Sequence, residues 1–242
     1  MESKGIKEIR RIKRTNAEEI ARRAEIAGAL WLESVGSTND WAKDWIRAAD
    51  ASTATPFWVG AERQTAGRGR GEHRWAAWDG AATFSLIARW RDFRLTRRES
   101  AELSLRVADA VASTAREFAP NAEIWVKPPN DVYVGDRKLA GILIESPNAE
   151  FVVVGVGVNV GNRSTEAPPE LRERVVSLAE LLDANDASNV NTADSANGAN
   201  GASGANGGDD GKAASAFDVD AVRTALAIRV VRRMLRRDVE ER

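Results

Sequence analysis

Three short stretches carry residue types and spacings that suit chemistry. Ala66-Gly67-Arg68-Gly69-Arg70-Gly71 alternates three glycines with two arginines. Glycine lets a loop backbone approach a ligand closely, and guanidinium groups grip carboxylate and phosphate oxygens through paired donors. A second stretch reads Lys127-Pro128-Pro129-Asn130-Asp131, followed by Lys138-Leu139-Ala140-Gly141-Ile142-Leu143. The prolines fix an extended approach to Asn130 and Asp131. Lys138 stands just after a tight turn, from which its ammonium could point into a cleft. The third is Gly155-Val156-Gly157-Val158-Asn159. Glycines two apart clear one face of a strand so that a ligand can lie on it. Taken singly, each has a plainer reading. Glycine–arginine runs occur in RNA-binding tails, solitary lysines are mostly surface charges, and paired glycines also mark bulges or crowded sheets. No G-x-x-x-x-G-K-[ST] phosphate loop and no G-x-S-x-G elbow occurs in the chain.

Composition narrows the chemistry. The chain has no cysteine and one histidine, His73. Disulfides, a thiol nucleophile and a zinc site built from Cys and His are therefore excluded. A formal net charge of -1 gives no global field for nucleic acid. No apolar run is long enough to span a bilayer, and the charged N-terminus lacks the apolar stretch of a secretory signal. The expectation is a cytoplasmic protein with no membrane partner and no specific nucleic-acid partner.

The elements that must position these stretches follow from periodicity. Residues 1–28 read as a basic helical extension with a solvated face. A strand is expected at Trp31–Val35. Ser37 then begins a helix in which Trp41, Trp45 and Ala49 recur at helical spacing. Phe57-Trp58-Val59 and Thr83–Trp90 read as strands on either side of the glycine–arginine loop. Thr96-Arg97-Arg98-Glu99 forms a capping box for a long helix striped by Leu103, Val107, Val111, Ala115 and Phe118 and ended by Pro120. Strands follow at Glu123–Val126, Asp131–Val134 and Lys138–Glu145, the last two joined through Gly135-Asp136, and then at Phe151–Val160. Glu170–Leu182 reads as a helix. Residues 184–216 contain ANGANGASGANGG and almost no large aliphatic side chain, so they are expected to be a disordered insertion. Val222, Leu226, Val230 and Met234 mark a closing helix within 217–242. The fold class is α+β, a mostly antiparallel mixed sheet flanked by helices, with one catalytic domain over residues 29–183.

Ser37-Thr38-Asn39, Gln64 to Arg70, Lys127 to Asp131, Lys138 to Ile142 and Gly155 to Asn159, in this order and spacing, resemble the active site of biotin protein ligases. The resemblance implies the class II aminoacyl-tRNA synthetase-like catalytic domain and ATP-dependent biotinylation of a lysine through a biotinoyl-adenylate. Ser37, Thr38, Asn39 and Gln64 would contact the biotin rings. Gly67, Arg68, Gly69 and Arg70 would belong to the loop closing over the carboxylate and adenylate. Lys138 would meet carboxylate and phosphate, with Gly141 and Gly157 beside the ligand, Asp131 assisting by charge or metal contact and Asn159 near the adenylate. Arg70, Lys138 and Asp131 are the expected catalytic groups. Biotin and ATP are the substrates, with Mg2+ expected on the phosphates and no protein residue assigned as a metal ligand. The expected partner is a biotin carboxyl carrier protein or domain, with a homodimer open. The chain departs from the family in carrying Pro128 where a tryptophan is usual and in its low-complexity segment. Neither a small β-barrel after the last helix nor a DNA-binding domain is expected from residues 1–242. A lipoate or octanoate ligase of the same fold, or a non-catalytic biotin-binding relic, are the competing readings.

Overall fold

Odd and even positions behave differently along the strand Phe151–Val158. Its even positions are all valine, whereas its odd positions pass from Phe151 and Val153 to Gly155 and Gly157. Successive strand side chains point to opposite faces. One face is therefore apolar throughout, and the other is bulky at one end and bare at the other.

The computed structural model describes residues 16–48, 50, 53–184 and 217–235. After a helical stretch at residues 16–23 (α1) come β1 (Gly28–Val35), α2 (Thr38–Arg47), β2 (Phe57–Gln64) and β3 (Ala82–Arg89). Next are α3 (Ser100–Phe118), β4 (Ile124–Lys127), β5 (Asp131–Val134), β6 (Arg137–Glu145) and β7 (Phe151–Val158). A short helix at residues 178–184 (α4) and α5 (Val219–Met234) complete the described chain. The strands form one seven-stranded sheet in the order β1-β2-β3-β7-β6-β5-β4. Only β1 and β2 run parallel, and every other neighbouring pair is antiparallel. The observed fold class matches the α+β expectation.

The all-valine face of β7 joins Trp58, Phe84 and Leu86 in the main core, against Leu103, Val107 and Val111 of α3 and Leu226, Val230 and Met234 of α5. Complete burial of side chains of this size is worth about 1.5–3 kcal/mol each. Thr96 and Glu99 form the expected capping box, with one turn of 3-10 helix leading into α3. Of the basic N-terminal segment, the described helix at residues 16–23 keeps Arg22 and Arg23 exposed, while Ile20 and the following Ala24 join this core. On the opposite face α2 lies on Val59, Ile87, Phe151 and Val153 through Ala42 and Ile46. Beyond the end of α2 that face turns small and polar: Ser85 pairs with Gly155, Thr83 with Gly157, and Gly141 with Gly157. Helix covers the bulky half, and the bare half is left hollow.

The helix expected over 170–182 begins later. Pro169–Leu171 makes a single 3-10 turn, residues 172–174 turn again, and only Val175 and Val176 then lie beside β6. The backbone there serves Lys138, whose N–H donates to Arg174 O (2.8 Å) and whose carbonyl accepts from Val176 N (3.1 Å). Helical turns would withdraw those groups. Ser177 and Glu180 instead cap α4 with a Ser-x-x-Glu pattern passed over in the sequence. The low-complexity residues 185–216, Ala49, residues 1–15 and residues 236–242 lie outside the described residues. Among the described residues no helix is long and apolar enough to cross a membrane.

Candidate active site

The hollow is a cavity of about 500 Å³ roofed by the glycine–arginine loop. All the residues singled out in the sequence line it except Gly67 and Asn159. Its chemistry differs from end to end.

One end is uncharged and rich in hydrogen-bonding groups. The N-terminal residues of α2 stand over the sheet where Gly155 leaves room. A methyl group at Gly155 would lie 2.4 Å from Asn39 Oδ1. Thr38 donates from its backbone N–H (2.8 Å) and its hydroxyl (3.1 Å) to Gln64 Oε1. Ser85 Oγ sits 2.8 Å from Thr38 Oγ1 and 2.6 Å from Asn39 Oδ1. Ser37 is the N-cap residue of α2 by its backbone, yet its hydroxyl makes no cap bond, and the residue lines the cavity. Buried polar groups in fixed geometry of this kind suit a neutral, planar, hydrogen-bonding ligand head.

The other end is cationic. Lys138 reaches the cavity because of an irregularity in β6. Val132 pairs with Ala140 but Tyr133 pairs with Lys138, so Leu139 is an extra residue. Strict alternation from Gly141 would put Leu139 in the cavity and Lys138 in the core. The bulge reverses them: Leu139 is fully buried in the core, and Lys138 lines the cavity. Lys138 Nζ lies 2.7 Å from Asp131 Oδ1 and 5.9 Å from the centre of the Trp75 ring. The Asp131 contact lacks hydrogen-bond alignment, since Oδ1 has no hydrogen-bonded donor. Asn159 works from beneath. Its Nδ2 donates to the Lys138 carbonyl (3.2 Å), its Oδ1 accepts from Asn162, and its backbone N–H donates to Leu139 O (2.9 Å). It thus clamps the bulge and is 2% exposed, rather than lining the ligand space.

The loop is a small hairpin. Gly69 N–H donates to His73 O (2.8 Å) and Trp75 N–H to Gly67 O (3.1 Å). The indole of Trp75 then drops onto the bare strands, where a methyl at Gly157 would come within 2.4 Å of its ring. Of the glycines expected to clear space for a ligand, Gly157 instead accommodates the loop's own aromatic side chain, and Gly155 makes room for Asn39. Trp75 Nε1 is buried without a hydrogen-bond partner. Arg68 does not repel its neighbours, because its guanidinium meets Asp40 Oδ1 (2.6 Å) and Glu145 Oε1 (2.9 Å). Arg70 and Arg74 are exposed at the cavity rim and make no ion pair among the described residues.

Glu145 ties several of these groups together, taking bonds from Asn39 Nδ2 (2.9 Å) and Lys43 Nζ (3.0 Å) as well as Arg68. Burial pushes its pKa up, but the hydrogen bonds from Asn39 and Lys43 and the charges of Lys43 and Arg68 together hold it below the ordinary carboxylate range. Asp40 is likewise lowered, burial again being outweighed by Lys43 and Arg68.

Trp75, Asp40, Lys43 and Glu145 were not singled out in the sequence. Parity offered a signal for Glu145, since residues 141, 143 and 145 share one face of β6 opposite Gly157, Gly155 and Val153. Trp75 was signalled as the one aromatic residue closing a polar, glycine-rich loop. Among the described residues no cluster of three His, Cys, Asp or Glu could hold a metal ion. Of the carboxylates on the cavity wall, Asp131 is engaged by Lys138 and Glu72 lies exposed in the loop. Such a set does not make an all-protein magnesium site, although it tolerates a cation carried in on phosphates.

Residues 31–159 match the sequence profile of the Biotin/lipoate A/B protein ligase family. The chain belongs to that family. Biotin--[acetyl-CoA-carboxylase] ligase of Mycobacterium tuberculosis is 38% identical over 160 residues, covering 64% of this chain and 58% of that protein. Bifunctional ligase/repressor BirA of Escherichia coli is 34% identical over 160 residues, covering 62% and 46%. Biotin protein ligase from Aquifex aeolicus, solved in complex with biotin and ATP, superposes with a TM-score of 0.60 at 24% identity, covering 86% of this chain and 70% of that one. That likeness establishes a shared fold. The chain spans between 38% and 58% of the length of the first curated relatives it matches. Membership in the ligase family accounts for the order of its motifs, all of which fall between Ser37 and Asn159, inside the matched span.

Proposed function

We propose that this chain catalyses ATP-dependent attachment of biotin to a lysine of a biotin carboxyl carrier protein or domain, through a biotinoyl-adenylate. The observation that carries the reading is the polarity of the cavity, with neutral donors and acceptors at Thr38, Asn39 and Gln64 and cations at Lys138, Arg70 and Arg74. A cyclic urea suits the first end, and a carboxylate pressed against a phosphate suits the second. The relatives named above, and the biotin and ATP bound by the Aquifex protein, point the same way.

A biotin carboxylate oxygen attacks the α-phosphorus of ATP. The bond to the bridging α–β oxygen breaks, and pyrophosphate leaves with that electron pair. The ε-amine of the acceptor lysine then attacks the acyl carbon, AMP departs, and the amine loses a proton. No enzyme nucleophile is needed, as befits a chain without cysteine. The chain's contribution is positioning and electrostatics. Lys138 offsets charge developing around the carboxylate and α-phosphate. Arg70 and Arg74 swing in from the rim as the loop closes, and Trp75 covers the ligand from the face it already occupies. Magnesium, brought by ATP, would neutralise phosphate charge, with Asp131 a sheet carboxylate on the cavity wall. The test is pyrophosphate release with ATP and either biotin or lipoate. Release with biotin at least tenfold above lipoate is expected. Preference for lipoate would transfer the chain to the other branch of its family, and biotin binding without release would make it a binding protein.

A further inference from the structure

We propose that Glu145, together with Asp40, is a positioning residue: it latches the glycine–arginine loop to the sheet through Arg68 and fixes which way the Asn39 amide faces. This deepens the biotin-ligase reading and rests on it for what the loop closes over, while the latch itself is a property of the free chain.

Glu145 ends β6 on the cavity face, and its side chain is 18% exposed. Its two oxygens receive four donors. Oε1 accepts from Lys43 Nζ (3.0 Å) and one Arg68 nitrogen (2.9 Å), and Oε2 accepts from Asn39 Nδ2 (2.9 Å) and the other Arg68 nitrogen (3.2 Å). A carboxylate offers about four acceptor positions, so this one is saturated. Asp40 Oδ1 takes Arg68 at 2.6 Å and Lys43 at 2.8 Å, closing a ring of two anions and two cations. Bidentate guanidinium–carboxylate pairs are directional as well as strong.

Two consequences follow. Arg68 is committed to the sheet, so the loop cations left for an anionic ligand are Arg70 and Arg74. The Asn39 amide is also polarised: because Nδ2 is drawn to Glu145 and to Leu143 O (3.4 Å), Oδ1 must face Ser85 and the neutral end of the cavity. One carboxylate thus aligns the head-binding amide and the root of the loop.

Glutamine at this position would keep the shape but halve the acceptors and turn two N–H donors toward two cations. The experiment uses the full chain as parent, Glu145→Gln, Arg68→Ala and the double variant, and follows amide hydrogen exchange without ligand. Each single variant should speed exchange of the Gly67–Trp75 segment at least fivefold, and the double variant no more than either single. Exchange in β3 and β7 should stay unchanged. In pyrophosphate release, Glu145→Gln should raise the KM for biotin about tenfold, with kcat within threefold. Parental loop exchange in Glu145→Gln, multiplicative effects in the double variant, or exchange raised throughout the sheet would overturn the proposal. The exchange arm needs no substrate. Loop loosening as expected in a chain that releases no pyrophosphate with biotin would uphold the latch while refuting the functional reading.

Discussion

Gly155 and Gly157 differ by two positions on one strand face, yet the same substitution should fail in different ways at each. A methyl at Gly155 would meet Asn39 Oδ1 at 2.4 Å, Cγ at 2.9 Å and Nδ2 at 3.0 Å. That amide cannot step aside, being 3% exposed and held by Ser85 and Glu145. Overpacking a fixed site costs about 1–3 kcal/mol, and breaking one of its hydrogen bonds adds about 1 kcal/mol. At roughly 2–4 °C per kcal/mol for a chain of this size, Gly155→Ala should lower Tm by about 4–16 °C. A methyl at Gly157 would meet Trp75 Cε2 at 2.4 Å. That indole hangs from a loop and can lift, forfeiting only part of its burial, about 1 kcal/mol or less. Gly157→Ala should therefore melt within about 4 °C of the parent while spoiling ligand affinity, because the floor of the cavity is raised. The assays are thermal unfolding, biotin titration calorimetry and tryptophan emission. A red shift on Gly157→Ala that disappears in a Trp75→Phe background would locate the displaced ring. Equal melting temperatures for the two variants, or the greater loss at Gly157, would refute the reasoning that a fixed amide and a mobile indole separate them.

Lys138→Ala should cut pyrophosphate release about 100-fold or more with biotin affinity changed far less, since a preorganised charge matters most where charge develops. Comparable losses in both would refute this. Arg70→Ala should free the adenylate at least tenfold faster, as a charge-assisted bond is worth about 1.5–3 kcal/mol. Its Tm should hold, because the side chain is exposed. Unaltered retention would remove Arg70 from the site. The latch carboxylates Asp40 and Glu145 have pKa values lowered from their ordinary 3.8 and 4.5. The stability they contribute is therefore complete above those values and is lost as pH falls through their folded pKa values. Loop exchange, corrected for the intrinsic effect of pH, should be flat from pH 6 to 8 and rise only in acid. A transition near neutrality would implicate another group.

The sequence exposed most of the site because its glycines, arginines and amide sit in contiguous motifs. Strand parity around Gly155 and Gly157 also showed which face would be bare. The same rule would have misplaced Lys138, since parity counted back from Gly141 turns it into the core. Only the extra residue at Leu139 reverses it, and a bulge has no mark in a run such as Lys-Leu-Ala-Gly-Ile. The first half of the helix expected over 170–182 failed for a related reason, and only 178–182 is α-helical. Its apolar spacing was compatible with a helix, but its backbone was claimed by Lys138, a long-range demand that local periodicity does not register. The bonds that tie Asp40 and Lys43 of α2 to Arg68 and Glu145 were hidden, because those partners lie far off in the chain. Arg68 and Glu145 are 77 residues apart. The bare glycine face was legible, but that the loop would supply its own occupant, Trp75, was not.

The central claim is that one cavity joins the biotin carboxylate to the α-phosphate of ATP. Its most direct test is a single-turnover reaction of the chain with biotin and α-labelled ATP, without acceptor, followed by isolation of the protein and identification of bound nucleotide. The account predicts labelled biotinoyl-adenylate in near-equal amount to the chain, formed about 100-fold or more slowly by Lys138→Ala and discharged as AMP when acceptor is added. Labelled ATP recovered unchanged beside bound biotin would contradict it.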